Sequence, residues 1–156
     1  LRDYRMPEEK TAVQKEFSER DAQIVRKNVE ENVLDMVRAH PETTFYFYTP
    51  PYSIAWWYTQ QCYGNVLRYF EAEKLQAEML LEYDNVKLYS FADMFDLTQD
   101  LDNYKDDKHY NAEISDKIID WIYDGTGLIT KENYEERISK MEEFYLNQVS
   151  ESSFSE

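Results

Sequence analysis

The feature that most constrains this fold is a run of β-branched and aromatic residues over positions 43–49, which two prolines end. The run contains no charged residue, so the sequence predicts a strand that is buried on both faces. Pro50 and Pro51 stop it because proline offers no backbone N–H to a sheet. A second run of similar character covers residues 86–91. The sequence therefore predicts two strands of one sheet.

Helical patterns surround the two predicted strands. In the first of them, Val25, Val29 and Val33, followed by Met36 or Val37, fall on one helix face. Asn111 and Thr130 are expected to cap the last two helices. The predicted helical segments are residues 7–39, 53–63, 65–82, 93–97, 111–124 and 130–147. Helices that alternate with buried strands predict an α/β fold in which parallel strands are flanked by helices on both faces.

Two strands are too few for such a sheet, because its edges would stay open. We therefore expect residues 1–149 to be part of a larger α/β domain. The missing strands are expected from an upstream segment or from another copy of the chain. Leu1 is not an initiator methionine, which fits a piece of a longer product. Residues 150–156 are polar and predict a disordered tail.

Charge and cysteine content exclude several classes of function. The formal net charge of −15 disfavours nucleic acids and anionic membranes as partners. A single cysteine excludes an internal disulfide framework and a cysteine-rich metal site. The acidic loop fails as a calcium-binding EF-hand from Asp100, because Tyr104 and Lys105 stand where an oxygen ligand and a glycine are required. The sequence predicts no metal and no cofactor, and it contains no signal peptide or membrane-length apolar run.

Asp106 and His109 are the strongest candidates for chemistry. They follow the second predicted strand and precede a helix, and sites in open α/β sheets form beyond the carboxyl ends of strands. Within a turn, this spacing allows the carboxylate to accept a hydrogen bond from one ring nitrogen. The other nitrogen can then act as a base toward a nucleophile. The alternative is a surface histidine in an acidic loop.

Two side chains are alternative nucleophiles. Ser53 follows the two prolines, but it lacks the glycine-flanked elbow that exposes a catalytic serine, and loop hydrogen bonding is the competing interpretation. Cys62 could pair with His109 as a thiol, but a lone cysteine among aromatic residues is usually packed in a core.

An aromatic cluster follows the first predicted strand, near the expected mouth of the site. Tyr52, Trp56 and Trp57 are candidate substrate-binding residues, because aromatic rings stack on sugars and contact acyl chains. The competing interpretation is that these rings pack in the core or at an interface.

Residues 102–111, Asp-Asn-Tyr-Lys-Asp-Asp-Lys-His-Tyr-Asn, resemble the last conserved block of the SGNH/GDSL hydrolases, and residues 44–53 resemble the penultimate strand of that fold. The chain looks most similar to the bacterial cell-envelope branch, which includes the teichoic acid D-alanyl transfer and alginate O-acetyltransferase types. The resemblance spans about residues 25–122. It implies a partial three-layer flavodoxin-like fold in which Asp106 orients His109, the general base.

The departures from this family are as informative as the match. The chain contains neither the Gly-Asp-Ser nucleophile block nor the Gly-x-Asn-Asp block of the family, and its three glycines lie in other contexts. Both blocks precede the penultimate strand in the family, so the resemblance implies a missing N-terminal half as partner. It further implies an extracytoplasmic esterase or O-acyltransferase acting on a cell-envelope glycan or polymer.

Two other kinds of function stay open on the sequence alone. One is a non-catalytic SGNH-like binding or assembly module that has lost its serine. The other is an α/β interaction domain of unrelated descent, whose sheet is completed in a homo-oligomer.

Overall fold

The computed structural model describes residues 4–8, 13–150 and 153, and it shows a mixed α/β chain. A π-helical turn, Glu30–Leu34, joins the first two helices, and a 3-10 turn, Leu101–Asn103, follows the fifth. No helix within this described part is long and apolar enough to cross a bilayer. The elements are α1 (Glu19–Val29), α2 (Asp35–Ala39), β1 (Phe45–Thr49), α3 (Ile54–Cys62), α4 (Val66–Leu80), β2 (Val86–Ser90), α5 (Phe95–Gln99), α6 (Ala112–Asp124), β3 (Leu128–Ile129) and α7 (Tyr134–Asn147).

The three strands form one mixed sheet in the order β1-β2-β3. β1 and β2 pair in parallel, with Phe45 opposite Val86, which confirms the two predicted strands and their relative direction. β3 pairs with β2 in the antiparallel sense, so the prediction of a purely parallel sheet is wrong. The sequence hides β3 because it has only two residues and follows the glycine-rich turn at Gly125 and Gly127.

The prediction that β1 is buried on both faces is also wrong. Exposure alternates along β1, and the side chains of Tyr46 and Tyr48 are 55% and 43% exposed. β1 is an edge strand in the described part of the chain, and α6 packs on Tyr89 of the neighbouring strand. Because no charged residue interrupts β1, the sequence alone does not distinguish this open face from a covered one.

The opposite face of the sheet is covered by helices. Phe45 and Phe47 of β1 pack with Val86 and Leu88 of β2 against α1, α2 and α4. A second core cluster joins α3, α4 and α7 around the fully buried ring of Trp57. Its buried members are Ile54, Trp56, Trp57, Tyr58, Cys62, Val66, Phe70, Ala77, Ala92, Ile138, Met141, Tyr145 and Val149.

Two helix starts differ from the prediction. α1 begins at Glu19, where Ser18 and Asp21 form a capping box, and the residues described between 4 and 18 are not helical. Residues 9–12 of the predicted helix lie outside the described residues. α7 begins at Tyr134 rather than at the predicted cap Thr130, whose carbonyl instead accepts a hydrogen bond from the Tyr134 amide across a turn. Both helices begin one or more turns later than the sequence predicts, because charged residues before a helix cap are compatible with a helix and with a loop.

The end of the chain is described only in part. Residues 151, 152 and 154–156 of the predicted tail lie outside the described residues, while Ser153 donates its amide to the Ser150 carbonyl at 3.0 Å. The other predicted helices are confirmed as α3, α4, α5 and α6, with Asn111 capping α6 through a hydrogen bond from the Ile114 amide.

Candidate active site

The segment from Tyr104 to Tyr110 is a closed loop between the 3-10 turn and α6. Tyr104 and Tyr110 form an isolated antiparallel bridge at its base. Inside the bridge, the Lys105 amide donates to the His109 carbonyl at 2.8 Å. Asn111, which caps α6, donates its own amide to Asn103 at 2.8 Å. The loop therefore has a fixed base, and its tip carries both predicted catalytic residues.

Asp106 and His109 are in direct contact at the tip of this loop. Nδ1 of His109 lies 2.9 Å and 2.7 Å from Oδ1 and Oδ2 of Asp106. A carboxylate at this distance accepts a hydrogen bond from Nδ1–H, which leaves the lone pair of Nε2 as the basic site of the neutral imidazole. The His109 side chain is 76% exposed, so Nε2 is open to an approaching group. The pair has the geometry of a general base and its orienting carboxylate.

The backbone of the loop holds the Asp106 carboxylate in its ionised form. Oδ1 accepts hydrogen bonds from the amides of Lys108 at 3.0 Å and His109 at 2.9 Å. Partial desolvation raises the pKa of Asp106, but these two amides and the imidazole outweigh it and lower the pKa to about 2. Asp106 is therefore negatively charged throughout the neutral range, where a histidine base operates.

Two long-range hydrogen bonds fix the loop to the segment that follows β1. The Tyr104 hydroxyl donates to the Pro51 carbonyl at 2.6 Å, and the Ser53 hydroxyl donates to the Asp107 carbonyl at 2.7 Å. Sequence reasoning missed Tyr104, because the contact joins residues 53 positions apart and no local pattern signals it. These bonds place the Asp106–His109 pair beside the carboxyl end of β1, as the sequence order predicts for an α/β site.

Ser53 is not a nucleophile in this structure. It is fully buried, its hydroxyl donates to Asp107, and its oxygen accepts the Trp56 amide at 3.4 Å as the cap of α3. Cys62 is also buried, in the cluster that joins α3, α4 and α7. Both side chains are therefore structural here: Ser53 anchors the loop, and Cys62 fills the core.

The predicted substrate-binding tryptophans are core residues. Trp57 is completely buried and stacks on Phe70 and Tyr145, with ring centroids 4.8 Å and 4.3 Å away. Trp56 is only 8% exposed and packs edge-on against Trp57. Because both rings are buried, the expectation that they contact a ligand is wrong. A run of aromatic residues predicts apolar contacts, but it does not distinguish a ligand from the protein core.

Tyr52 lies near the loop of residues 104–110. It is half-buried, with its ring 4.5 Å from that of Trp56. Burial raises the pKa of Tyr110, and a hydrogen bond with Tyr48 and the nearby Tyr52 hydroxyl raise it further. Tyr48 and Tyr52 therefore lie close to Tyr110, the residue that follows His109 in the chain. Sequence reasoning missed Tyr48 and Tyr110, although an alternating reading of β1 would have placed Tyr48 on its outer face.

Comparisons of the chain with protein-family models, with curated proteins and with solved structures find no match. The interpretation of the site therefore depends on its geometry and on the motif resemblance.

Proposed function

We propose that this chain is the base-bearing C-terminal part of an SGNH/GDSL-type serine esterase or O-acyltransferase. The observation that carries the proposal is the Asp106–His109 pair, in which an ionised, amide-bound carboxylate orients an imidazole whose Nε2 faces solvent. The lowered pKa of Asp106 adds support, because shifted pKa values cluster at functional sites. The flavodoxin-like arrangement of the complete domain is part of this proposal.

The open side of β1 supports a missing N-terminal half as the partner. β1 presents an unpaired edge in the described part of the chain, and Tyr46 and Tyr48 expose large aromatic surface beside it. An uncovered edge strand with an apolar face is a site for further strands and a covering helix. A half-domain that supplied them would bring its own residues to the carboxyl end of β1, next to His109.

The proposed reaction follows from the roles of the two residues. A serine of the missing half attacks the carbonyl carbon of an ester through its Oγ, and Nε2 of His109 takes the serine proton. The alcohol then leaves with the proton from His109, and the acyl group stays on the serine. Water or a sugar hydroxyl next gives its proton to His109 and attacks the acyl carbon, and the serine Oγ leaves with that proton from His109. Asp106 stabilises the imidazolium formed in each step.

The substrate class and the location belong to the same proposal. The resemblance to the cell-envelope branch supports an ester-linked group on an envelope glycan or polymer, outside the bacterial cytoplasm. Tyr110, which follows His109 in the chain, and its neighbours Tyr48 and Tyr52 support a sugar-containing substrate, because phenol rings contact sugar faces and their hydroxyls form hydrogen bonds.

The decisive test compares the two histidines of the chain in the complete protein. His109→Ala is expected to lower kcat/KM for ester hydrolysis by about 10³-fold or more, since it removes the general base. His40→Ala is the matched control: His40 is also exposed and also lies near a carboxylate, Glu42, at 3.4 Å. Equal activity of the His109→Ala variant and the wild type would contradict the proposal.

The second candidate is a non-catalytic binding or assembly module. It is favoured by the absence of a Gly-Asp-Ser block from this chain and by the full engagement of Ser53 in structural hydrogen bonds. A fluorophosphonate probe, which labels activated serines, separates the two candidates. Labelling of the complete protein that depends on His109 supports the enzyme, whereas no labelling supports the binding module.

A further inference from the structure

A carboxylic acid, Glu73 of α4, lies between the sheet and the helices that cover it. Its Oε1 accepts a hydrogen bond of 2.9 Å from the hydroxyl of Thr49, the last residue of β1. The residue as a whole is half-buried, but its Oε2 is fully buried and has no hydrogen-bond partner among the described residues. The hydroxyl of Ser90 is nearby and donates instead to the Met141 sulfur at 3.6 Å. A carboxylate in this position would be poorly solvated.

The nearest cation is not free to compensate a charge on Glu73. The Arg137 guanidinium makes a two-pronged contact with Asp93, with distances of 2.6–2.9 Å. Its remaining donors reach the carbonyls of Leu128 and Ser90. Arg137 therefore ties α7 to the ends of β2 and β3, and the Asp93 carboxylate already balances its positive charge.

The space beside Glu73 is also too small for a hydration shell. The cavity next to it has a volume of about 20 Å³, which is room for about one water molecule. Thr49, Leu88 and Ile138 are among the residues that line it. Ionisation of Glu73 would therefore leave a buried negative charge without a full set of donors, unless the contact between β1 and α4 opened.

We propose that Glu73 makes the packing of α4 on the sheet pH-sensitive, so that the folded chain is more stable while Glu73 is protonated and loses stability when Glu73 ionises. Charged and titratable groups act on Glu73 from several elements of the described chain. Asp93, which follows β2, opposes a negative charge, while Arg137 on α7 favours one but is already engaged. Tyr69 on α4 and Tyr145 on α7 are neutral phenols whose pKa values are raised by their own burial.

The pKa of Glu73 also indicates that ionisation of this residue destabilises the folded chain. Desolvation raises its pKa to about 7, against the lowering effect of the Thr49 hydroxyl. Because this folded-state pKa lies above the ordinary value of 4.5, the stabilisation is complete below about pH 4.5 and is lost as the pH rises through 7. Thr49 also lies shortly before Pro51 and Ser53, which anchor the loop of residues 104–110. Ionisation of Glu73 therefore occurs close to the candidate site but does not depend on the reaction proposed there.

The test measures unfolding by urea between about pH 5 and 8 for the wild type and for Glu73→Gln, which mimics the protonated side chain. We expect the unfolding constant of the wild type to rise relative to that of Glu73→Gln, by up to about tenfold per pH unit below pH 7. Glu73→Gln is then the more stable protein at the alkaline end. Glu78→Gln, an exposed substitution on the same helix, is expected to follow the wild type. Equal pH profiles for the wild type and Glu73→Gln would overturn the proposal.

A direct titration covers the case in which Glu73→Gln fails to fold. The carboxyl ¹³C resonance of Glu73 in the wild-type chain is expected to titrate near neutral pH, well above the resonances of exposed glutamates. A midpoint in the same range as those exposed glutamates would overturn the proposal independently of any variant.

Discussion

Replacing Asp106 by Asn tests whether the carboxylate stabilises the loop of residues 104–110. The substitution keeps an oxygen that can accept the backbone amides of Lys108 and His109, but it removes the charge that strengthens those hydrogen bonds and the contact with the imidazole. The loop is expected to lose stability without losing its overall path, because the Tyr104 and Ser53 anchors remain.

The magnitude follows from the pKa of the carboxyl group. Its pKa falls from 3.8 to about 2 on folding, and this difference corresponds to about 2 kcal/mol in favour of the folded state at neutral pH. The Asp106 side chain is 30% exposed, so screening by solvent reduces the expected loss in Asp106→Asn to about 1–2 kcal/mol. Because the folded-state pKa is lowered, this contribution is present above about pH 4 and disappears as the pH falls through about 2.

The assay is urea denaturation of the wild type, Asp106→Asn and Asp107→Asn at several pH values. Asp107→Asn is the matched control, because it removes the same charge one residue later and its carboxylate receives no hydrogen bond from the described residues. We expect a stability gap for Asp106→Asn at neutral pH that closes toward pH 2. Equal losses for the two variants, or a gap that persists in acid, would show that the Asp106 hydrogen bonds do not hold the loop.

Two further substitutions test the supports around the site. Ser53→Ala is expected to cost about 1–3 kcal/mol, since it removes a helix cap and leaves the half-buried Asp107 carbonyl without its donor. The exposed Ser139→Ala is the control in urea denaturation, and equal stability of the two variants would contradict the anchoring role. Gly127→Ala should lower the melting temperature more than Gly125→Ala, by the equivalent of about 1–3 kcal/mol. Both glycines have positive φ, but only at Gly127 would a Cβ meet neighbouring atoms at 2.8 Å, so equal effects would contradict that clash.

Sequence reasoning predicted the elements whose signals are local. The capped helices, the two longer strands and the Asp106–His109 contact all follow from patterns of fewer than about twenty residues. The Asp106–His109 contact was predictable because an Asp and a His three residues apart in a turn are within hydrogen-bond reach of each other, independently of the rest of the fold. The parallel pairing of β1 with β2 was predictable because a helix lies between them.

The features that were missed depend on contacts between distant residues. The burial of Trp57 depends on Phe70 and Tyr145, which approach it from two other helices. The exposure of Tyr46 depends on which elements cover β1, and the composition of the strand does not indicate whether its outer face is covered. β3 exists only because the backbone after Gly127 meets β2, and the Ser90 amide donates to the Gly127 carbonyl at 3.0 Å.

The open edge of β1 also governs how this chain behaves in concentrated solution. Its backbone groups, which have no strand partner on that side among the described residues, and the exposed rings of Tyr46 and Tyr48 form a template on which another extended chain could add. Two properties oppose that growth: β1 has only five residues before Pro50, and every copy carries a net charge of −15 that repels the others. The repulsion is screened by salt, so the colloidal stability of the isolated chain depends on ionic strength.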